Sequence, residues 1–221
     1  MKICVVIPVY NEGEAVGFVV DSARRKGLDV LVVNDGSTDS SGATARDHGA
    51  RVLDNPVKTG KGASLRRGFE EALARGYDGV VAMDGDGQHD AEDLDKILRT
   101  AREHPASVVT GSRMSSVKEM PFIRLVTNKV MSWMISCLCR CRIADTQCGY
   151  RYIGADVLRA VSLESSGYEI ESEVLIKACR AGFPVYSVAV RTIYSSEKSK
   201  IRPVKDTGRF LTYFFKAIRR K

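Results

Sequence analysis

The sequence predicts a doubly wound α/β domain, in which a mostly parallel sheet is covered by helices on both faces. Short apolar runs alternate with segments that carry apolar residues at helical spacing, as expected when a helix connects each pair of parallel strands. Polar clusters follow three of the apolar runs, and ligands bind at the carboxyl ends of the strands in such sheets. A chain of 221 residues is long enough for one domain with a full core.

The predicted strands and helices alternate through the first half of the chain. Buried strands are predicted at Ile3–Val9, Val30–Val33, Arg51–Leu53, Gly79–Met83 and Ser107–Thr110. Helices are predicted at Glu12–Lys26, from Ser37 or Thr38 to His48, at Ala63–Arg75 and from Asp90 to His104. Ser37 or Thr38 can cap the second helix, Gly49 can end it, and Asp90 can cap the fourth.

The second half of the chain is less regular. Phe122–Leu138 is apolar on most faces, but polar residues interrupt it and it is too short to span a bilayer. We expect it to be a core helix or to lie against an acyl chain. A helix is predicted at Glu169–Ala181, strands at Val185–Val190 and Thr192–Tyr194, and an amphipathic helix at Gly208–Ile218.

The net charge of +7 is confined to the end of the chain. Ser195–Lys221 has nine basic and two acidic residues, so the preceding residues carry 25 of each sign. Such a tail fits an anionic lipid surface or a nucleic acid. Nucleic acid is disfavoured because the aromatic residues form a helical stripe instead of alternating with the basic ones. The first residues do not resemble a signal peptide, and we expect a cytoplasmic protein.

Two acidic residues follow the strand at Gly79–Met83. Asp84 and Asp86 can point into one cleft, where they would repel each other unless a cation lies between them. Carboxylate oxygens are hard ligands that suit Mg²⁺ or Mn²⁺, and Gln88 can add a neutral oxygen. The alternative is a turn that caps the next helix, but Asp90 already serves that purpose. The sequence therefore predicts a divalent metal site at Asp84, Asp86 and Gln88.

Other polar residues are candidates for binding a nucleotide or for catalysis. Asn34 can read a base edge and Asp35 can accept hydrogen bonds from a ribose, although this segment can also cap a helix. Lys61 lies in a glycine-rich turn where a cation can hold a phosphate, but the pattern is not a P-loop. Asp145 is either a general base, an orienting carboxylate or a simple turn residue.

Five basic residues are candidates for binding phosphate, because guanidinium groups match phosphate oxygens in bidentate fashion. They are Arg113, Arg124, Arg151, Lys200 and Arg202. Together they exceed what one diphosphate needs once a metal is bound. This excess predicts a second anionic group, which belongs to the acceptor.

Seven short motifs occur in a recognisable order. They are Pro8-Val9-Tyr10-Asn11-Glu12, Asn34-Asp35-Gly36-Ser37, Gly60-Lys61-Gly62, Asp84-Gly85-Asp86-Gly87-Gln88-His89, Gly111-Ser112-Arg113, Asp145 to Arg151 and Glu171-Ser172-Glu173. In this order they resemble the family-2 glycosyltransferases of GT-A fold, in particular the dolichol-phosphate mannosyltransferase-like branch. The resemblance spans residues 3 to about 202. Asn34, where aspartate is more usual, and Gly87, where leucine is more usual, depart from it.

The resemblance implies an inverting, metal-dependent transfer of a hexose from a nucleotide diphosphate sugar, of GDP-mannose or UDP-glucose type, to a polyprenyl or dolichyl phosphate. It implies one catalytic domain at residues 1–205, with a donor part at about 1–112 and an acceptor part at about 113–205. A basic amphipathic helix at 206–221 would follow. This helix would hold the protein peripherally on the inner face of a membrane.

The resemblance also implies roles for individual residues. Donor-binding residues would be Pro8, Tyr10, Asn11, Glu12, Asn34, Asp35, Lys61, Asp84, Gly85 and Asp86. Acceptor- and phosphate-binding residues would be Arg113, Arg124, Asn128, Arg151, Lys200 and Arg202. Catalysis would involve Asp86, Asp145, Arg113 and Arg124. The segment at Ser199–Arg202 would close over the phosphates.

Two other functions remain open at this point. A transferase that uses a soluble or cell-envelope saccharide would need neither the additional arginines nor the terminal helix. A non-catalytic subunit that tethers a complex to the membrane would need neither Asp84 nor Asp86.

Overall fold

The computed structural model describes residues 1–115, 122–191 and 203–219, of which 115, 122–124 and 203–207 are described by their backbone alone. The strands are Ile3–Val9 (β1), Asp29–Asn34 (β2), Arg51–Asp54 (β3), Gly79–Ala82 (β4), Val108–Ser112 (β5), Arg151–Gly154 (β6) and Val185–Ala189 (β7). The helices are Ala15–Arg25 (α1), Ser41–Asp47 (α2), Lys61–Ala74 (α3), Leu94–Glu103 (α4), Phe122–Cys139 (α5), Ala155–Ala160 (α6), Ile170–Arg180 (α7) and Pro203–Arg219 (α8).

One sheet joins the strands in the order β3-β2-β1-β4-β6-β5-β7. Its neighbours are parallel except at β6, which runs antiparallel to both β4 and β5. The mostly parallel α/β sheet is confirmed, but β6 was not predicted. It is four residues long, begins with Arg151 and ends with Gly154, so it shows neither an apolar run nor an alternating pattern. The predicted strand at Thr192–Tyr194 lies outside the described residues.

Helices cover both faces of the sheet and form two cores. In β1, Val6 packs into the core shared with α3, α5, α7 and α8, whereas Val5 and Ile7 pack into the core shared with α1 and α4. All three side chains are fully buried. Burying one such side chain stabilises the fold by about 1.5–3 kcal/mol. A strand covered on both faces must be apolar at successive positions, which is why the long apolar runs predicted strands correctly.

The ends of two helices show how the loops are fixed. α2 begins at Ser41 instead of Ser37 or Thr38. The earlier residues are held in a loop, since Thr38 N–H donates to the side chain of Asn11. Before α4, Asp90 accepts a hydrogen bond at 2.9 Å from the backbone N–H of Glu92, which confirms the predicted cap.

Candidate active site

The loops that follow β1 and β2 are joined at the carboxyl end of the sheet. The backbone N–H of Asn11 donates to Ser37 Oγ (3.0 Å), and its Nδ2 donates to Thr38 Oγ1 (3.2 Å). Asn11 has a φ of 53°, which asparagine tolerates better than most residues. The N–H of Glu12 donates to Ser41 Oγ (2.9 Å). Two of the predicted polar clusters therefore lie at one edge of the sheet.

Asp84, at the end of β4, is held by two cationic or polar partners. Its Oδ1 lies 2.6 Å from Lys61 Nζ, and its Oδ2 lies 3.5 Å from His89 Nε2. Lys61 Nζ is also 2.6 Å from Glu171 Oε1. Burial acts to raise the pKa of Asp84, but Lys61 and His89 outweigh it and hold that pKa well below its usual range. Asp84 is therefore a carboxylate at neutral pH.

Two glycines permit close contacts around Asp84. A Cβ atom on Gly149 would lie 2.5 Å from Asp84 Oδ2 and 3.0 Å from its Cγ. A Cβ atom on Gly85 would lie 3.1 Å from Val9 Cγ2 and 3.3 Å from Glu12 Cγ. The backbone at Gly149 thus packs directly on the carboxylate, and Gly85 lets the loop after β4 pack on the loop after β1.

The residues at this edge fit a divalent cation. Asp86 Oδ1 accepts a hydrogen bond from the backbone N–H of Gln88 (3.0 Å), and Asp84, Asp86 and Gln88 are all partly exposed. The described part of the chain contains no group of three or more His, Cys, Asp or Glu residues that could hold a metal. Mg²⁺ is commonly held by one or two carboxylates together with substrate phosphates and water, so two aspartates are a sufficient protein contribution.

Asp35, predicted to contact the nucleoside, is engaged by the protein. Its Oδ1 accepts hydrogen bonds from Thr59 N–H (2.8 Å), the Thr59 hydroxyl (2.6 Å) and Asn55 Nδ2 (2.9 Å), and its Oδ2 accepts from Gly60 N–H (2.8 Å). Burial acts to raise the pKa of Asp35, but these hydrogen bonds lower it overall. The residue is 3% exposed and organises the turn that carries Lys61. Direct contact with a ribose stays a prediction.

The other predicted nucleoside residues remain accessible. Pro8, Tyr10 and Asn34 are partly exposed at the ends of β1 and β2. Asn34 Nδ2 donates to Asp54 Oδ1 (2.9 Å), which fixes the orientation of its amide. Lys58 Nζ lies 3.3 Å from the centroid of the Tyr10 ring, which is a cation–π distance. Their contacts with a nucleotide stay predictions.

Arg113 and Asp145 form a bidentate ion pair. Arg113 Nε donates to Asp145 Oδ2 (2.8 Å) and Nη2 donates to Oδ1 (3.0 Å). Three more donors reach Asp145: the backbone N–H groups of Arg113 (3.2 Å) and Gln147 (3.0 Å), and Asn128 Nδ2 (2.9 Å). Burial acts to raise the pKa of Asp145, but Arg113 and these hydrogen bonds lower it. A fully buried carboxylate with five donors is a poor proton acceptor, so the geometry favours the orienting role over the general base.

Arg151 is placed differently from the prediction that it binds phosphate. It is 2% exposed, and its guanidinium donates to the backbone carbonyls of Glu171 (2.5 Å), Cys148 (2.6 Å) and Thr146 (3.4 Å). These bonds tie β6 to the preceding loop and to the first turn of α7. The side chain lies inside because β6 is an interior strand of the sheet, which the sequence did not reveal.

The remaining predicted acceptor residues are only partly described. Asn128 is 3% exposed; it donates to Asp145, and its Oδ1 accepts from the Ser132 hydroxyl (3.0 Å). It therefore supports the Arg113–Asp145 pair in this structure instead of lining an open surface. The backbone of Arg124 lies in α5, but its side chain is not described. Lys200 and Arg202 lie outside the described residues.

Within the motifs that carried the resemblance, three residues contact Asp84 or its partner Lys61 without having been predicted as site residues: His89, Gly149 and Glu171. Each belongs to a motif that carried the resemblance, but none was assigned a role. The sequence did indicate that Glu171 needs a partner, since it lies among apolar residues of a predicted helix and a buried carboxylate must be paired. That partner, Lys61, is 110 positions away in the sequence, so the sequence alone could not identify it.

A mostly parallel α/β sheet with an Asp-Gly-Asp motif and basic residues at one edge defines a nucleotide-sugar transferase of GT-A fold. The chain belongs to Glycosyl transferase family 2, whose sequence model matches residues 4–156. The matched region contains the Asp84 site and the Arg113–Asp145 pair. It ends within α6.

Similar proteins support the family assignment along most of the chain. The undecaprenyl-phosphate mannosyltransferase of Micrococcus luteus is 34% identical and aligns over 86% of this chain and 83% of its own length. The polyprenol monophosphomannose synthase of Mycolicibacterium smegmatis is 33% identical over 84% of this chain and 75% of its own.

Solved structures share the fold at lower identity. Mannosyl-3-phosphoglycerate synthase from Rubrobacter xylanophilus has a TM-score of 0.75 at 18% identity and covers 100% of this chain and 73% of its own. Glucosyl-3-phosphoglycerate synthase from Mycobacterium tuberculosis, solved with Mn²⁺, UDP and glucosyl-3-phosphoglycerate, has a TM-score of 0.67 at 21% identity, with coverages of 98% and 78%. These likenesses establish the GT-A architecture.

Proposed function

We propose that the protein is an inverting hexosyltransferase that uses Mg²⁺ or Mn²⁺ to transfer a sugar from a nucleotide diphosphate donor to a polyprenyl phosphate. One observation carries this proposal. The loop at residues 144–151 contacts both parts of the site, since Gly149 packs on Asp84 and Asp145 holds Arg113. One loop thus links the aspartate that we propose for the metal and diphosphate with the arginine that we propose for a second phosphate. The relatives named above act on polyprenyl phosphates by their names.

The donor half is assigned to the edge formed by β1, β2 and β4. Asp84 and Asp86, with Gln88, would hold the metal, which when bound neutralises the charge that develops on the leaving diphosphate. Tyr10 and Asn34 would contact the nucleoside. The two relatives named above are mannose transferases by their names, so mannose is the sugar that we favour. GDP-mannose is therefore tested beside UDP-glucose and UDP-N-acetylglucosamine.

The acceptor half is assigned to Arg113. Its side chain is 19% exposed, so it can meet an acceptor phosphate while Asp145 fixes its orientation. A phosphate monoester is largely ionised near neutral pH, so the attacking oxygen needs no strong base. One direct displacement inverts the anomeric centre, and the rate then depends on alignment of the two phosphates and on stabilisation of the leaving group.

A transfer assay tests this function. GDP-mannose, UDP-glucose and UDP-N-acetylglucosamine are offered with a short polyprenyl phosphate or with soluble saccharides, in Mg²⁺, Mn²⁺ or EDTA. We expect metal-dependent transfer to the lipid phosphate and a loss of about 100-fold in kcat for Asp86→Asn. Asp95→Asn, which changes only an exposed ion pair with Lys26, is the matched control. Transfer to saccharides alone would refute the lipid acceptor, and full activity of Asp86→Asn would refute the metal assignment.

We also propose that α8 contacts a membrane surface. At positions 208–219, where its side chains are described, the buried apolar ones are Phe210, Phe214 and Ala217, and the large exposed apolar ones are Leu211, Phe215 and Ile218. Each set recurs about once per helical turn, so the helix packs on the core with one face and presents a second apolar face outward. Lys216 and Arg219 lie at the same end. An outward apolar face beside basic residues is typical of an interfacial helix. Among the described residues, no helix is long and apolar enough to cross a bilayer.

The helix α5 has the same two-faced character. Met131 and Ile135 are buried in the core, whereas Val126, Val130 and Trp133 are exposed by 43%, 50% and 67%. The exposed residues follow at i, i+4 and i+7 and so share one face. The expectation of a core helix is confirmed, whereas contact with an acyl chain stays a prediction. We propose that the outer face of α5 lies along the polyprenyl chain of the acceptor.

A further inference from the structure

The ammonium group of Lys61 lies between two carboxylates. Its Nζ is 2.6 Å from Asp84 Oδ1 and 2.6 Å from Glu171 Oε1, and the three side chains are 16%, 28% and 7% exposed. The ring of Tyr168 adds a third contact, with its centroid 5.3 Å from Nζ. One unit of positive charge is therefore shared by two acids, of which only Asp84 belongs to the predicted metal site.

The backbone fixes the positions from which Lys61 and Glu171 meet. The carbonyl of Ser166 accepts hydrogen bonds from the N–H groups of Gly62 (2.9 Å) and Ala63 (3.4 Å). A Cβ atom on Gly60 would lie 2.4 Å from the same oxygen. The first turn of α3 is thus docked on the loop that leads into α7. These backbone contacts hold the segments that carry Lys61 and Glu171 next to each other.

We infer that Lys61 is the counter-ion of Asp84 in the metal-free protein. Lys61 then releases Asp84 when this carboxylate binds a metal, and stays paired with Glu171. This inference rests on the proposed function, because it assumes that Asp84 is a metal ligand. Glu171 is then a positioning residue: it touches neither metal nor substrate, and acts by giving the ammonium a second partner when the first is taken.

The charges at the site explain why two partners are needed. The ammonium group of Lys61 would be repelled by a divalent cation held by Asp84, because like charges interact strongly in a partly buried site. With Glu171 present, the ammonium can stay paired as it withdraws from Asp84. Without Glu171, its described carboxylate partner would be Asp84 alone, and metal binding would have to leave a charged group unpaired, which is unfavourable in a buried place.

Titration of the full chain with Mn²⁺, with the free ion followed by electron paramagnetic resonance, tests the inference without any turnover. Lys61→Met removes the competitor, so we expect Mn²⁺ to bind about three- to tenfold more tightly. Glu171→Gln confines the ammonium to Asp84, so we expect binding about three- to tenfold weaker. In the double variant Glu171→Gln should have a much smaller effect, because it acts through Lys61.

Matched variants separate this exchange from a general effect of charge or folding. Glu173→Gln neutralises another buried glutamate of α7, which pairs with Lys177 at 2.7 Å and accepts hydrogen bonds from the N–H groups of Glu164 and Ser165. An amide oxygen can still accept part of these hydrogen bonds. Lys58→Met removes another lysine of the same loop, which lies on the ring of Tyr10. Neither should change Mn²⁺ affinity by more than about twofold. Thermal unfolding checks each fold, and Lys61→Gln replaces Lys61→Met if the latter is unstable.

The outcomes distinguish this inference from the proposed function. Two results would refute the exchange of Lys61 between its partners and leave the metal site in place, provided that the wild type binds Mn²⁺ tightly. One is additive effects of the Lys61 and Glu171 substitutions. The other is weaker Mn²⁺ binding by both Lys61 variants. Absence of Mn²⁺ binding by the wild type, with and without UDP or GDP, would refute the metal site and the exchange together.

Discussion

Gly149 determines how the Asp84 carboxylate is placed, because the backbone leaves no room between them. We predict that Gly149→Ala lowers the affinity for a Mn²⁺–nucleoside diphosphate complex about tenfold, since its Cβ would lie 2.5 Å from Asp84 Oδ2 and displace that side chain. Calorimetric titration with Mn²⁺ and GDP or UDP measures this. Gly208→Ala, at a helical position with open space around it, is the control. Unchanged affinity would show that Gly149 does not position Asp84.

Asp35 illustrates a residue whose charge stabilises a loop. We predict that Asp35→Asn lowers the free energy of unfolding by about 1–3 kcal/mol at pH 7, because buried donors lose their charged acceptor. The pKa of Asp35 is lowered from 3.8 in the folded protein, so its contribution is present above that pH and is lost as the pH falls below it. Urea unfolding at pH 7 and at pH 3 should show a difference between variant and wild type that shrinks in acid. A constant difference would contradict this role.

At the scale of elements, the sequence predicted best those strands that are buried on both faces. β1, β2 and β4 are apolar at successive positions, so their sequence patterns predict both that they are strands and that both of their faces are buried. β6 was not predicted because it begins with a buried arginine, whose guanidinium donates to carbonyls of the preceding loop and of α7. The same limit applies to the site. The acidic pair and its strand are local features, whereas the docking of Gly62 on Ser166 joins residues about a hundred positions apart.

Arg151 links β6, the loop at residues 144–151 and α7 through its guanidinium group. We predict that Arg151→Lys lowers the free energy of unfolding by about 2–3 kcal/mol, since an ammonium group cannot reach all three carbonyls. It should also weaken the binding of Mn²⁺ and nucleoside diphosphate, because Gly149 and Glu171 lie in the two segments that it holds. Chemical unfolding and calorimetric titration measure these effects.

A matched arginine serves as the control for Arg151. Arg180 also donates to a backbone carbonyl, that of Ala217 at 2.5 Å, but lies away from the site. Arg180→Lys should lower stability without changing ligand affinity. If Arg151→Lys instead raised KM for the lipid phosphate alone and left stability unchanged, then Arg151 would bind the acceptor directly, as the sequence suggested.

At the scale of the whole molecule, charge and apolar surface are distributed unevenly. Residues 1–194 carry equal numbers of acidic and basic residues, and the excess of positive charge lies in residues 195–221. The exposed apolar stripe of α8 lies within that basic segment. A lipid surface provides both an apolar layer and anionic head groups, so a single orientation of the protein satisfies both features.

Two adjacent phenylalanines on α8 separate membrane contact from packing. Phe215 is 56% exposed and Phe214 is 8% exposed. We predict that Phe215→Ser weakens binding to vesicles of phosphatidylcholine and phosphatidylglycerol about 30-fold, because it removes roughly 2 kcal/mol of apolar contact, and leaves the unfolding temperature within about 2 °C. Phe214→Ser should instead lower the unfolding temperature by several degrees through the lost core contact. Vesicle co-sedimentation and thermal unfolding measure the two effects on both variants. Equal vesicle binding by Phe215→Ser and wild type would mean that the outer face of α8 does not meet the membrane, and the basic residues alone would then have to account for any attachment.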